Sequence, residues 1–187
     1  MNSLYSVEKY TASDITTRML EEICQFRARV WQDEDPQSNM TLDHLDISEN
    51  AIHYLVRVNA LEDELEKGER GDGTIIASAR MTIHRSIEDD YRDVNLWRNM
   101  NIELPLPFCD LGRLVVSKEC RGRGIAHFLN VTRVFDAKNM GANALISTAS
   151  VGNMRLLKKI GFVEIGQEVV FEDRPNTIFY ALQFDIK

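Results

Sequence analysis

The stretch Asp110-Leu-Gly-Arg-Leu-Val-Val-Ser-Lys-Glu-Cys-Arg-Gly-Arg-Gly-Ile-Ala126 constrains the fold most, because it runs an apolar strand into an Arg/Gly turn that opens a helix. Leu114, Val115 and Val116 read as a buried strand bounded by polar residues. Gly122 and Gly124 carry no Cβ, so the backbone there can turn sharply and come close to a ligand. The helix that follows aims its first unpaired N–H groups, and the positive end of its dipole, into that turn. Such a corner binds phosphate. The strand beside it offers N–H and C=O groups to an extended, amide-containing ligand. A pyrophosphate joined to a peptide-like arm is coenzyme A.

Arg121-Gly-Arg-Gly124-Ile-Ala126 resembles the Arg/Gln-x-x-Gly-x-Gly/Ala signature of the GNAT N-acyltransferase superfamily. The resemblance extends through a helix to about Gly141, a strand at Ala144–Ala149, a short helix and then Ile160-Gly161-Phe162. It is close over residues 109–165 and looser over nearly the whole chain. It implies an α/β three-layer fold, with a central mixed, mostly antiparallel twisted sheet and helices on both faces. It also implies an acyl-CoA N-acyltransferase with acetyl-CoA, or another acyl-CoA, as donor and a small-molecule or peptide amine as acceptor. The expected cofactor residues are Leu114, Val115, Val116, Arg121, Gly122, Arg123, Gly124, Ile125 and Ala126.

Composition narrows the remaining classes. At 187 residues the chain fits one domain, 1–187, and 44 % hydrophobic content with 8 % aromatics is ordinary for a globular protein. No run approaches the roughly 20 apolar residues of a membrane span, and the N-terminus lacks a signal-peptide apolar region. Cys24, Cys109 and Cys120 show no Cys-x-x-Cys spacing, so reduced thiols in a cytoplasmic setting are expected. The four histidines, His44, His53, His84 and His127, show no zinc-like spacing, so no metal is expected. Net charge is −7, of which residues 61–72 contribute −4 (six acids, two bases) and residues 86–108 contribute −3 (five acids, two bases). The rest is neutral, which argues against a nucleic-acid surface. Against that background Lys118, Arg121 and Arg123 form one local positive cluster and Arg155, Lys158 and Lys159 another.

Along the chain, residues 4–10 suit a first strand. Ile15, Met19, Ile23, Phe26 and Val30 recur at helical spacing after Asp14, a candidate N-cap, with an end expected near Trp31. Ala51–Val58 reads as a strand, and 61–73 as a charged hairpin loop ending in Gly-Asp-Gly. Thr74–Ile83 alternates: Ile75, Ala77, Ala79, Met81 and Ile83 face one way, Ile76, Ser78, Arg80 and Thr82 the other. Residues 86–108 make a long connection beside the signature strand, read as a substrate lid or a solvated loop. Ile125, Phe128, Val131 and Phe135 line one face of the following helix, which Gly141 can close. A short helix near Asn153–Ile160 and strands near 163–171 and 178–186 complete the order. No repeat or linker divides it.

The implied reaction moves an acyl group from a thioester to an amine. A lysine-like amine has a free pKa of about 10.4, so a nearby carboxylate would help deprotonate it. Asp110 falls where relatives of this fold carry a glutamate, and is the candidate base or amine-orienting group. The alternative is a structural ion pair with Arg113, which requires a bulge near Gly112 to bring residues three apart onto one side. The tyrosine that serves as general acid in that superfamily is replaced by Leu157, leaving Tyr54, Tyr91, Tyr180 or a water as donors. The asparagine common at the start of the short helix falls at Ser150, with Asn153 as a substitute. His127, just past the turn, is either a phosphate contact or an exposed helix residue.

A second resemblance bears on the acceptor. Arg27 with Trp31, then Asp43 and Asp46, then Arg80, then Asp110 with Arg113 is similar to the Arg…aromatic, Asp-x-x-Asp, Arg, Glu-x-x-Arg series of acyl-homoserine-lactone synthases and long-chain N-acyl amino acid synthases. Asp replaces Glu at 110, and those synthases lack the clear Arg-x-x-Gly turn. The resemblance implies a small amino compound clamped by charge at Arg80 and Arg113, with a longer acyl donor on CoA or acyl carrier protein. A non-catalytic acyl-CoA-binding module and a homodimer remain open at this point.

Overall fold

The computed structural model describes residues 5–38, 42–58, 73–86, 103–171 and 174–186. The elements run β1 (Tyr5–Thr11), α1 (Thr17–Glu34), β2 (Ala51–Val58), β3 (Ile75–His84), β4 (Phe108–Val116), α2 (Ile125–Asn139), β5 (Ala144–Ser150), α3 (Val151–Lys159), β6 (Val163–Phe171) and β7 (Arg174–Asp185). Single 3₁₀ turns occupy His44–Ile47 and Lys118–Cys120. One seven-stranded sheet has the order β1-β2-β3-β4-β5-β7-β6. Every neighbour pair is antiparallel except β4 with β5. Residues 61–72 of the charged hairpin loop expected at 61–73, and residues 87–102 of the 86–108 connection, lie outside the described residues.

Helices cover both faces, so the central strands are buried on both sides although they carry polar residues such as Ser78, Arg80, Thr82 and Asp110. On one face Ile23, Phe26, Val30 and Trp31 of α1 pack with Leu55, Ile75 and Val115. On the other, Ile125, Leu129 and Ala137 of α2 and Leu157 of α3 pack with Tyr54, Val56, Ala79, Met81 and Cys109. All ten residues of β3 are buried.

Several local expectations are corrected. The N-cap of α1 is Thr16, whose hydroxyl accepts from the Met19 N–H, while Asp14 bonds back to Thr11. The helix also runs to Glu34 rather than ending at Trp31. Ile75 packs with the α1 cluster, apart from Ala77, because Val56 and Arg57 pair with Ala77 and Ile75 and leave Ile76 as an extra residue. On α2 only Ile125 of the expected stripe is buried; Phe128, Val131 and Phe135 are exposed. The buried face instead carries Ile125, Leu129, Asn130, Arg133 and Ala137, which keep the same helical period but include two polar residues.

Two irregularities shape the centre of the sheet. First, β4 and β5 pair only at Phe108–Ala144, Cys109–Leu145 and Asp110–Ile146, although both strands run on. Where pairing stops, the Ser147 hydroxyl donates to the Leu111 carbonyl at 2.8 Å and closes the foot of the gap. Second, Ser78 pairs with Val115 and Arg80 with Gly112, so Ala79 opposes both Arg113 and Leu114. That is a β-bulge. The residue in the left-handed conformation there is Arg113, at φ +56°, and not Gly112.

Candidate active site

The strand separation opens into a cavity of about 500 Å³. Leu114, Val115 and Val116 form one wall and Arg121, Gly122, Gly124, Ile125 and Ala126 the adjoining corner. Arg123 is exposed and is not part of the lining. Gly122 and Gly124 have φ of +76° and +82°, the left-handed conformation that glycine adopts without strain. Gly124 is the N-cap of α2 and supplies no side chain, so the helix's first N–H groups face the corner without a local cap. The opposite wall is the start of α3, with Ser150, Gly152 and Asn153, and the end of α1, with Trp31 and Glu34. His127 also lines the cavity. Arg121 donates from Nε to the Val116 carbonyl at 3.1 Å and pairs with Glu34 at 2.6 Å across the mouth.

Beside the cavity, on the α1 face of the sheet, lies a buried charge cluster. Arg27 of α1 meets Asp46 at 2.7 Å, the Ser78 hydroxyl at 3.1 Å and His53 Nδ1 at 3.3 Å. Arg80 Nη1 donates to Asp43 Oδ1 at 2.6 Å and Asp46 Oδ1 at 2.7 Å. Arg113, turned to this side by the bulge, pairs with Asp43 and stacks its guanidinium 5.4 Å from the Trp31 ring centre. Trp31 therefore touches both the cluster and the cavity.

The 3₁₀ turn that carries the two aspartates is held by a capping box, in which Asp43 and Asp46 each accept the other's backbone N–H. Burial alone would raise the Asp46 carboxyl, but Arg27, Arg80 and Arg113 hold it well below the usual carboxylate range. Asp43 is lowered by Arg80 and Arg113 against the same opposing burial. His53 is pushed down to about 4 by burial and by Arg27, and its Nε2–H donates to the Asp46 carbonyl at 2.9 Å. It stays neutral at physiological pH.

Asp110 is 5 % exposed, at the last β4 position that pairs with β5. Its field acts on Arg80 and Arg133, and its Oδ2 lies 3.2 Å from where a Cβ on Gly112 would stand. Asp110 is not part of the cavity lining. Leu157 is fully buried in the core. Tyr54 donates its hydroxyl to Asp136 at 2.8 Å, and burial together with that bond raises its pKa. Tyr180 is raised by Glu168. Neither tyrosine lines the cavity, and Tyr91 lies outside the described residues.

Glu34, Asn130 and Arg133 have no signal in the sequence. His53 and Ser78 enter there only as a histidine without zinc-like spacing and as a position of the β3 alternation. Each is a polar residue on an element whose apolar pattern says nothing about it. Among the described residues no group of His, Cys, Asp and Glu could hold a metal ion, and no helix is long and apolar enough to cross a membrane.

Neither a protein-family model nor a curated protein matches the chain. Solved structures do. ElaA of Escherichia coli is 15 % identical with a TM-score of 0.67, covering 96 % of this chain and 98 % of its own. An acyl-CoA N-acyltransferase from Pseudomonas aeruginosa is 17 % identical with a TM-score of 0.67, over the same shares. The chain has the GNAT fold. MesI, described as a CoA-dependent acyl-homoserine lactone synthase, is 16 % identical with a TM-score of 0.65, covering 96 % of this chain and 88 % of its own. The fold thus extends to both groups that the residue patterns resemble.

Proposed function

We propose that this chain is an acyl-CoA N-acyltransferase that moves an acetyl group from acetyl-CoA to a primary amine by direct attack in a ternary complex. The observation that carries the reading is the cavity where β4 parts from β5, floored by strand edge and closed by a glycine corner at a helix N-terminus. The diphosphate lies at residues 121–126, where backbone N–H groups and the helix dipole favour it. The pantetheine arm runs along Leu114–Val116, whose β5-side backbone groups have lost their strand partner. A backbone N–H there polarises the thioester carbonyl; one such donor is worth about 3–4 kcal/mol. Alignment of the two reactants supplies up to roughly 7–11 kcal/mol more.

The acceptor lies on the Trp31 side of the cavity, oriented from the cluster behind it by Arg80 and Arg113, with Asp110, outside the cavity lining, receiving the amine proton by relay through water. Leu157 holds no proton, and Tyr54 and Tyr180 do not line the cavity, so the leaving thiolate takes its proton from Tyr91 or from water. The cluster also supports a second reading, in which the acceptor is an amino-acid-like compound and the acyl chain is longer, because Arg27, Trp31, Asp43, Asp46, Arg80 and Arg113 converge although they are scattered in sequence. The test is mass spectrometry of the purified protein with acetyl-CoA and a long-chain acyl-CoA competing for a panel of amines. Acetylated amine supports the first reading and long-chain product the second. No acylated amine, together with no measurable CoA affinity, defeats both.

A further inference from the structure

Arg133 is wholly buried on α2, and nothing in the proposed chemistry uses it. Its Nη1 donates to the Arg80 carbonyl at 2.9 Å and the Gly112 carbonyl at 3.2 Å. Arg80 and Gly112 face each other on β3 and β4 at the register break, one residue before the left-handed Arg113. Its Nη2 donates to the Asn130 side-chain carbonyl. Asn130 in turn donates from Nδ2 to Asn153 Oδ1 at 2.8 Å, and Asn153 lines the cavity from α3. Burial draws the guanidinium down to about 10, still a cation at neutral pH. A helix that needed only to pack would carry an apolar residue at both positions, since buried polar networks add less stability than good packing.

The connected path therefore runs from one cavity wall, through α2, to the two backbone carbonyls that flank the bulge. On its far side the bulge aims Arg113 at Asp43 and Trp31. We propose that Arg133 is a positioning residue that couples the donor cavity to the acceptor cluster: occupation of the cavity stiffens Asn153 and Asn130, and Arg133 passes that restraint to the bulge. The identity of the ligand rests on the acyltransferase reading; the path itself does not.

Hydrogen exchange with mass spectrometry tests it, using CoA as the probe on the full chain. In the native protein CoA should slow exchange at the amides of residues 78–82 and 111–114 by tenfold or more. Arg133→Met should bind CoA within threefold of the native affinity yet slow those amides less than twofold. Arg133→Lys, which has one nitrogen in place of the two that Arg133 divides between the carbonyls and Asn130, should fall between, and it decides the matter if the methionine variant does not fold. Equal CoA-induced slowing in native and variant proteins overturns the proposal. So does faster exchange in free and bound forms alike with the CoA-induced difference intact, which marks a purely structural arginine. A native protein that shows no CoA binding refutes the acyltransferase reading and this coupling together, whereas binding without transmission sinks the coupling alone.

Discussion

Gly124→Val separates donor binding from folding. Gly124 stands at φ +82°, and a Cβ added there meets nothing within 4 Å. No protein atom resists the substitution, so its cost is backbone strain: about 1–2 kcal/mol for a left-handed residue, toward 3 for a β-branched one. For a domain of this size a penalty of roughly 2 kcal/mol lowers Tm by about 4–8 °C, and the chain stays folded. The new side chain projects at the corner where a diphosphate must approach the backbone closely. CoA affinity should fall at least a hundredfold, equivalent to about 2.8 kcal/mol. Gly141→Val is the control. Gly141 has φ +75° and equally open surroundings, but sits at the other end of α2, outside the cavity lining. It should lose a similar amount of Tm and no CoA affinity. Calorimetric titration with CoA and thermal unfolding by circular dichroism read both effects. A folded Gly124→Val that binds CoA within threefold of native removes the diphosphate from this corner, and equal losses in the two variants reduce the effect to helix destabilisation.

Three further outcomes follow from the site. Asp110→Asn should cut turnover at pH 7 at least tenfold and recover in part as pH approaches the free amine's pKa of about 10.4; an unshifted pH–rate profile takes Asp110 out of proton removal. His53 has its pKa depressed to about 4, so between that value and the unfolded 6.5 the unfolded chain binds a proton that the folded chain does not. Stability should therefore fall as pH drops through that window, by about 3 kcal/mol in all, and His53→Gln should flatten the slope in urea titrations at pH 4, 5, 6 and 7. Tyr54→Phe removes one hydrogen bond to Asp136, which keeps Lys9 at 2.8 Å, so the loss should be about 1 kcal/mol of stability with transfer rates unchanged. A tenfold fall in kcat in that variant would reinstate the tyrosine as general acid.

The architecture was legible where chemistry and periodicity agree. The strand–turn–helix at 110–126 announces itself because a β-rich run, two glycines and a helical pattern need one backbone path. The α2 register shows the limit of the same method. Phe128, Val131 and Phe135 satisfy the helical period as well as the residues that are actually buried, yet they face solvent. Period identifies a face without saying which face the sheet covers, and here the covered face holds Asn130 and Arg133 because the bulge and α3 present polar groups to it. Hydropathy alone would send those two residues outward.

The charge cluster was legible as a series of residues but not as a place. Arg27, Asp43, Asp46, Arg80 and Arg113 come from a helix, a 3₁₀ turn and two strands, and nothing local brings them together. Four of them meet through direct pairs and the capping box, and Arg113 joins them through a single backbone event. Residues three apart on a strand point to opposite faces, so Asp110 and Arg113 could share a side only through a bulge, and Gly112 was the residue expected to make it. The structure builds the bulge but gives the left-handed conformation to Arg113, at a cost of order 1–2 kcal/mol that glycine would have spared. That choice rotates the guanidinium onto Asp43 and Trp31. A glycine at 113 would relieve the backbone and lose a cation that touches both Asp43 and Trp31 on the cavity wall. The strained residue is thus a link in the geometry, its side chain reaching from Asp43 of the buried cluster to Trp31 on the cavity wall.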